Sequence, residues 1–170
     1  MDTQTHVWAL EASVFQMGLN FPPLMRALRN EFEKNAFSYF ENLDEIKVCD
    51  SNKIHTLPNA IIIHDSSLAA ATARTIEVCD GITRHDLSSA LGESALTPSR
   101  EEPNLHGVTA LRFLKASAQL QHVPTIIFNA FEDNVETFKK HGASHVLTSE
   151  QAFSVGKDQK PLRNLVQTYT

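Results

Sequence analysis

The sequence predicts a single α/β domain built on a doubly wound parallel sheet, with a long insertion after the third strand. Residues 59–65, NAIIIHD, contain an unbroken apolar run of the kind found in strands covered on both faces. Residues 123–149 contain an apolar strand, an amphipathic helix and a second short strand in succession. Two strands joined through a helix favour a parallel sheet with a right-handed crossover.

The first strand is predicted at residues 6–10, HVWAL, and ends at Glu11. A helix is expected to begin at Pro22 and Pro23, because proline costs least in the first turn of a helix. Apolar side chains then recur at helical spacing and can face a sheet: Leu24, Ala27, Leu28 and Phe32.

The second strand is predicted at residues 45–49, EIKVC, because polar and apolar side chains alternate there. The aromatic-rich residues 37–43 are interpreted as a connection whose rings pack in the core or in an interface, since no basic residues lie among them to favour base stacking. Residues 51–57 are too few for a complete crossover helix. The second helix is therefore expected to be reduced or missing.

The insertion after strand 3 spans residues 66–104, a length that indicates function or mobility. Residues 68–91 have a patchy helical pattern that is broken at Asp80-Gly81, and residues 97–104 have the composition of an exposed loop. We expect residues 97–104 to be mobile, because their prolines and charges provide little apolar area to offset the entropy of ordering.

A third helix is predicted after Gly107, with Ala118 on its flank and an apolar stripe that ends before the next strand. That stripe consists of Val108, Leu111, Leu114 and Leu120. The following strand is predicted at residues 124–129.

The fourth helix is predicted at residues 132–141, with acidic residues in its first turns, basic residues in its last, and Gly142 at the left-handed stop position. The fifth strand is predicted at residues 145–148. A loop at 151–160 and a last helix at 161–169, which opens on a proline, complete the chain.

Composition limits the classes of function. The 170 residues, of which 42% are hydrophobic, suit one domain with a sizeable core over residues 1–170. The net charge of -5 provides no basic field for a phosphate backbone, so a nucleic-acid partner is not expected. Neither a secretion signal nor an apolar run long enough to span a membrane occurs, so we expect no membrane partner and a cytoplasmic location.

Cysteine and histidine spacing does not favour a metal or disulfide framework. Cys49 and Cys79 do not form a CxxC pair. The histidines that come nearest to a cluster, His64, His85 and His106, lack the helical spacing that identifies a zinc motif.

The last third of the chain resembles a response-regulator receiver domain, the doubly wound module of bacterial two-component signalling. In that family one strand ends in Thr/Ser-Ala, the next helix ends in Gly-Ala, and a short strand ends in Lys-Pro. The corresponding residues are Asn129-Ala130, Gly142-Ala143 and Ser149-Glu150. The resemblance covers residues 106–169 well and 6–65 loosely. It implies a five-stranded sheet of flavodoxin-like type in the order 2-1-3-4-5.

The resemblance also assigns a phospho-acceptor position at the end of the third strand. Alignment of the strand ending places Asp65 on the acceptor and His64 before it, whereas counting from Pro58 places His64 on the acceptor. We favour Asp65, because ligands of open α/β sheets lie at the carboxyl ends of strands and Asp65 supplies the only carboxylate at this end.

The other receiver positions are degenerate. The family's magnesium-binding acidic pair corresponds to Glu11 and Ala12, so that Glu11 and Asp65 remain as ligands of at most a weak magnesium site. Asn129 replaces the family's hydroxyl residue and Ser149 its lysine. No other cofactor is expected.

These replacements predict a pseudo-receiver, a protein–protein interaction module of bacterial signalling or regulation that is not an enzyme and in which Asp65 is not phosphorylated. Ser149 cannot supply the ammonium group that pairs with a phosphoryl group. Two alternatives remain open. One is a functional phospho-accepting response regulator that uses Asp65 and magnesium, and the other is a small-molecule binder or enzyme that uses the carboxyl-end crevice.

In receivers, partners or a second copy dock on the face made by the fourth helix, fifth strand and last helix. Here that face corresponds to residues 132–141, 145–148 and 161–169. Its solvent-side candidates are Lys139, Lys140, Arg163 and Gln167. Without a chemical switch, this face is expected to keep one constitutive shape.

Overall fold

The computed structural model describes residues 5–12, 23–65, 105–153 and 160–169. The strands are β1 (Val7–Glu11), β2 (Phe37–Phe40), β3 (Ala60–His64), β4 (Thr125–Ala130) and β5 (His145–Thr148). They form one sheet in the order β2-β1-β3-β4-β5, and every neighbouring pair is parallel. The predicted doubly wound fold and its strand order are confirmed. The insertion at 66–104, with its predicted helical pieces and mobile loop, lies outside the described residues.

Helices connect the strands and cover both faces of the sheet. They are α1 (Pro23–Glu31), α2 (Leu43–Ser51), α3 (His106–Ala116), α4 (Val135–Lys140), α5 (Ser149–Phe153) and α6 (Pro161–Gln167). A 3-10 turn, Glu132–Asn134, leads into α4, and Gly142 follows it in the left-handed conformation, with φ of 98°. Within the described ranges, no helix has the length and apolar character needed to cross a membrane.

The second strand is β2, and the prediction of a strand at residues 45–49 is wrong. Those residues belong to α2. Asn42 caps this helix, because its side chain accepts a hydrogen bond of 3.1 Å from the backbone N–H of Glu45. The Glu45 carboxylate in turn accepts a 2.7 Å hydrogen bond from the N–H of Glu41, in a variant of the capping box.

Burial along α2 follows the helix and not the alternation of its sequence. Ile46 is buried, whereas Val48 is 64% exposed. The crossover between β2 and β3 therefore contains a nine-residue helix. The expectation of a reduced or missing second helix is wrong, and the aromatic residues interpreted as a connection form the edge strand.

Two further details differ from the prediction. The predicted loop at 151–160 begins too early, because α5 follows β5 directly; Thr148 and Gln151 open it with reciprocal hydrogen bonds of 3.1 and 3.3 Å. Ala118, placed on the flank of the third helix, is exposed beyond the end of α3.

Two apolar cores lie on opposite faces of the sheet. The first core, against α2, α3 and α4, includes Trp8, Leu10, Ile46, Ile61, Ile63, Val108, Leu111, Leu114, Ile127 and Phe138. The second core, against α1 and α6, includes Val7, Ala9, Leu24, Leu28, Ile62, Ile126, Phe128, Leu147, Leu162 and Val166. Alternate residues of a strand point to opposite faces, so position along the strand decides which core a side chain joins.

A buried carboxylate joins α1 to α6. Glu31 Oε1 accepts hydrogen bonds from the backbone N–H groups of Leu162, at 2.9 Å, and Arg163, at 3.3 Å. Burial raises the pKa of Glu31 above its ordinary value, although the two backbone hydrogen bonds oppose the shift. The carboxylate therefore satisfies N–H groups that the first turn of α6 cannot bond internally.

Candidate functional site

The carboxyl ends of the parallel strands bring the predicted site positions to one edge of the sheet. Glu11 is the last residue of β1 and pairs in register with His64, the last residue of β3. By alternation both project on the side of the second core, where Ala9 and Ile62 lie, whereas Asp65 projects on the side of the first core. The structure therefore separates Asp65 from Glu11 and His64.

Glu11 is held between a tyrosine and a histidine. The Tyr39 hydroxyl donates a 3.2 Å hydrogen bond to Glu11 Oε2, and His64 Nδ1 contacts Glu11 Oε1. Burial of the ring, followed by the negative charge of Glu11, raises the pKa of Tyr39. Tyr39 thus remains a proton donor to the carboxylate.

The chain of hydrogen bonds continues from His64 to β4 and α5. Asn129 Nδ2 lies 3.1 Å from His64 Nε2, and the Ser149 hydroxyl donates a 2.7 Å hydrogen bond to Asn129 Oδ1. With Asn129 Nδ2 as donor, the histidine tautomer is the one that carries its proton on Nδ1, facing Glu11. We refer to Tyr39, Glu11, His64, Asn129 and Ser149 as the edge chain.

The backbone conformation of Asn129 brings its side-chain amide to His64. The residue has a positive φ of 66°, and the β4–β5 register shifts between Phe128 and Ala130. Asparagine tolerates this left-handed conformation better than most residues do. The resulting irregularity turns the amide toward His64, while Phe128 and Ala130 join opposite cores.

Asp65 has a different environment. Its side chain is fully buried, and Oδ2 accepts a 2.7 Å hydrogen bond from the backbone N–H of Gly107 in the first turn of α3. A carboxylate is stabilised at a helix amino terminus by the unpaired N–H groups and the helix dipole. Asp65 therefore ties the end of β3 to α3.

The remaining predicted positions add no polar side chain to the edge chain. Ala12 donates its backbone N–H to the His64 carbonyl at 3.1 Å, and its side chain packs on the first core. Lys139, Lys140, Arg163 and Gln167, predicted on the docking face, are all exposed. Within the described segments, no group of three or more histidine, cysteine, aspartate or glutamate side chains is arranged to hold a metal ion.

Sequence reasoning missed Tyr39 as a member of the site. Once residues 37–40 are recognised as the strand beside β1, Tyr39 lies opposite Ala9, on the same face as Glu11. The helix-capping signal at Asn42, which moves the strand earlier in the chain, is the feature that could have revealed it.

A groove of about 600 Å³ lies at the other end of the sheet, away from the edge chain. Its walls include Pro58, which precedes β3, and Val123 and Pro124, which precede β4. Ligands of open α/β sheets bind at the carboxyl ends of strands, so we place the candidate site at the edge chain and not in this groove.

Comparison of the chain with known protein families, with curated proteins and with solved structures found no match.

Proposed function

We propose that the protein is a receiver-like interaction module of signal transduction or regulation that works without phosphoryl transfer. The observation that carries this proposal is the environment of Asp65, whose carboxylate is fully buried and bound to the Gly107 N–H. A phospho-acceptor must instead approach a phosphodonor, and it requires a cation and further donors for the developing charge.

The other polar groups at this edge support the same proposal. The Glu11 carboxylate already contacts the side chains of Tyr39 and His64, and the Asn129 amide already contacts those of His64 and Ser149. Recruitment of Glu11 to magnesium would break its contacts with Tyr39 and His64 at a largely buried position, which is costly because it leaves polar groups unpaired. The edge chain thus acts as a structural link among β2, β1, β3, β4 and α5.

A module of this kind recognises partners through a surface of constant shape. The face made by the 132–141 segment, β5 and α6 presents exposed cations on two helices, Lys139 and Lys140 on α4 and Arg163 on α6. Electrostatic complementarity contributes to orientation and association rate, so an acidic patch on a partner protein suits the end of this face that carries Lys139, Lys140 and Arg163. The start of the 132–141 segment carries exposed acidic residues and suits basic groups instead.

Treatment with acetyl phosphate and magnesium, followed by intact-mass measurement, tests the absence of phosphoryl transfer. We expect no gain of a phosphoryl group either in the wild type or in Asp65→Asn. A stoichiometric gain that disappears in Asp65→Asn would instead establish the working receiver, and a gain that persists in that variant but disappears in His64→Gln would move the acceptor to His64.

A further inference from the structure

The outer edge of β2 is an unprotected sheet edge in the described part of the chain. β2 is the first strand in the sheet order, and no hydrogen bond to its outer side occurs among the described residues. Its four residues, FSYF, are half-buried and contain no charge and no proline. Natural proteins usually protect such edges with charged side chains, proline or bulges, because unpaired strands join other strands.

The register of β2 on β1 determines which backbone groups face outward. Val7 pairs with Phe37, and the Val7 N–H bonds to the Ala36 carbonyl at 2.9 Å. The Ala36 carbonyl and the backbone groups of Ser38 therefore point toward β1, as do those of Phe40 by alternation, whereas the Ala36 N–H donates to the Glu33 carbonyl. Phe37 and Tyr39 direct their N–H and C=O groups away from the sheet.

We propose that β2 pairs antiparallel with β2 of a second copy of this chain, about a twofold axis that passes beside Ser38. In an antiparallel pair, two directly opposed residues exchange both backbone hydrogen bonds. Phe37 opposite the partner's Tyr39, and Tyr39 opposite the partner's Phe37, then use every outward group of the strand. Two five-stranded sheets become one continuous sheet of ten strands.

Two neighbouring registers are less favourable. A shift that places Tyr39 opposite the partner's Tyr39 would require the N–H of Glu41, which already donates to Glu45 Oε2 at 2.7 Å. A shift in the other direction would require Asn35, which lies in the turn before the strand. Opposed residues must also share a face of the sheet, which excludes shifts of one residue.

Side chains are compatible with the proposed register. On one face, Phe37 meets the partner's Tyr39, and cross-strand aromatic pairs stabilise sheets. On the other face, the large Phe40 lies opposite the partner's small Ala36, and Ser38 lies opposite the partner's Ser38. No charged side chain of β2 meets a like charge, because the strand contains none. A twofold axis repeats each contact, which favours a second copy over an unrelated peptide.

This inference does not depend on the absence of phosphoryl transfer, because β2 lies at the edge of the sheet opposite β5. Sedimentation equilibrium over a concentration series measures the association. We expect the wild type to form dimers, and both Ser38→Lys and Ser38→Glu to lose them, because like charges would lie directly opposite each other at the axis. Ala116→Lys, an exposed change on α3, serves as the control and should still dimerise.

Mixing the two position-38 variants tests the register. The lysine and glutamate then face each other, so an equimolar mixture should recover dimers that neither variant forms alone. Circular dichroism identifies a charged variant that fails to fold, and Ser38→Cys then replaces it. We expect the two position-38 cysteines to form a disulfide on oxidation, because opposed residues that do not exchange hydrogen bonds approach closely. A monomeric wild type, a dimer that persists in both charged variants, or a mixture that stays monomeric would overturn the proposal.

Discussion

At the scale of single residues, the close approach of two elements depends on a few positions where no larger side chain fits. Gly107 is the clearest case. A Cβ atom at this position would lie 2.8 Å from Asp65 Oδ2 and 2.9 Å from Phe138 Cε1. Both neighbours are fully buried, so neither can move freely away from an added methyl group.

Overpacking at Gly107→Ala is expected to cost about 1–3 kcal/mol of unfolding free energy. Alanine normally stabilises a helix by about 1 kcal/mol relative to glycine, so the expected net loss is about 0–2 kcal/mol. Urea denaturation measures the change. Thr109→Ala, an exposed substitution two residues later in α3, controls for changes in helix propensity. A more stable Gly107→Ala variant would show that Asp65 and α3 are not packed as described.

Glu31 is expected to make stability depend on pH. Burial raises its folded-state pKa above the ordinary value of 4.5. Between the unfolded and folded pKa values the folded protein binds the proton more tightly, so the stability associated with Glu31 is complete below about 4.5 and is lost as pH rises through the folded pKa. The unfolding free energy of the wild type should fall relative to Glu31→Gln over that window.

Unfolding free energies of both proteins at a series of pH values check this expectation, since other titrating groups cancel in the difference. Glu33→Gln, which removes an exposed carboxylate two residues away, provides the background. An unfolding free energy of the wild type that rises relative to that of Glu31→Gln as pH increases would contradict the raised pKa.

At the scale of elements, α2 depends on its amino-terminal cap. Asn42→Ala removes the side-chain acceptor of the Glu45 N–H and is expected to cost about 1 kcal/mol of unfolding free energy. Asn42→Ser keeps an acceptor at this position and should retain most of the stability. Equal losses in the two variants, measured by urea denaturation, would exclude the cap as the cause.

The same segment shows where sequence reasoning stops. The strands β1, β3 and β4 were predicted correctly, because buried parallel strands produce apolar runs that few other structures share. The short edge strand β5 was also predicted correctly, because it follows the well-marked helix end at Gly142. Residues 45–49 alternate like a strand, but five residues cannot distinguish a period of two from a helical face that buries Ile46 and exposes Val48. The capping residue Asn42, which precedes this window and accepts the hydrogen bond from the Glu45 N–H, decides the structure.

The sequence predicted where the candidate site lies, at the carboxyl ends of the strands, but not which of its side chains contact one another. Strand ends indicated Glu11, His64, Asp65 and Asn129, and all four lie at the carboxyl edge. The faces on which they project depend on strand register, and the turn of Asn129 toward His64 depends on a positive φ that no short sequence pattern specifies. The assignment of a receiver-like role to these positions remains a prediction.

At the scale of the whole molecule, the docking face is predicted to act through charge. Lys140→Glu combined with Arg163→Glu should weaken partner capture without lowering the melting temperature, because both side chains are exposed. Quantitative comparison of the proteins retained by immobilised wild-type and variant chains measures capture. Asp65→Asn should leave retention unchanged. Retention that survives both reversals but fails on deletion of residues 68–100 would move the functional surface to the insertion.

The link between Glu31 and α6 has a consequence for synthesis on the ribosome. Glu31 emerges 131 residues before Leu162, which supplies one of its two N–H partners. Until then the carboxylate lacks the donors that accompany its burial, and Leu24 and Leu28 lack the side chains of α6 that cover the second core. The first core draws its helices from α2, α3 and α4, which are all translated earlier. A nascent chain that stops before α6 therefore leaves the second core covered by α1 and α5 but not by α6, so part of one face of a nearly complete sheet stays exposed until the last helix is made.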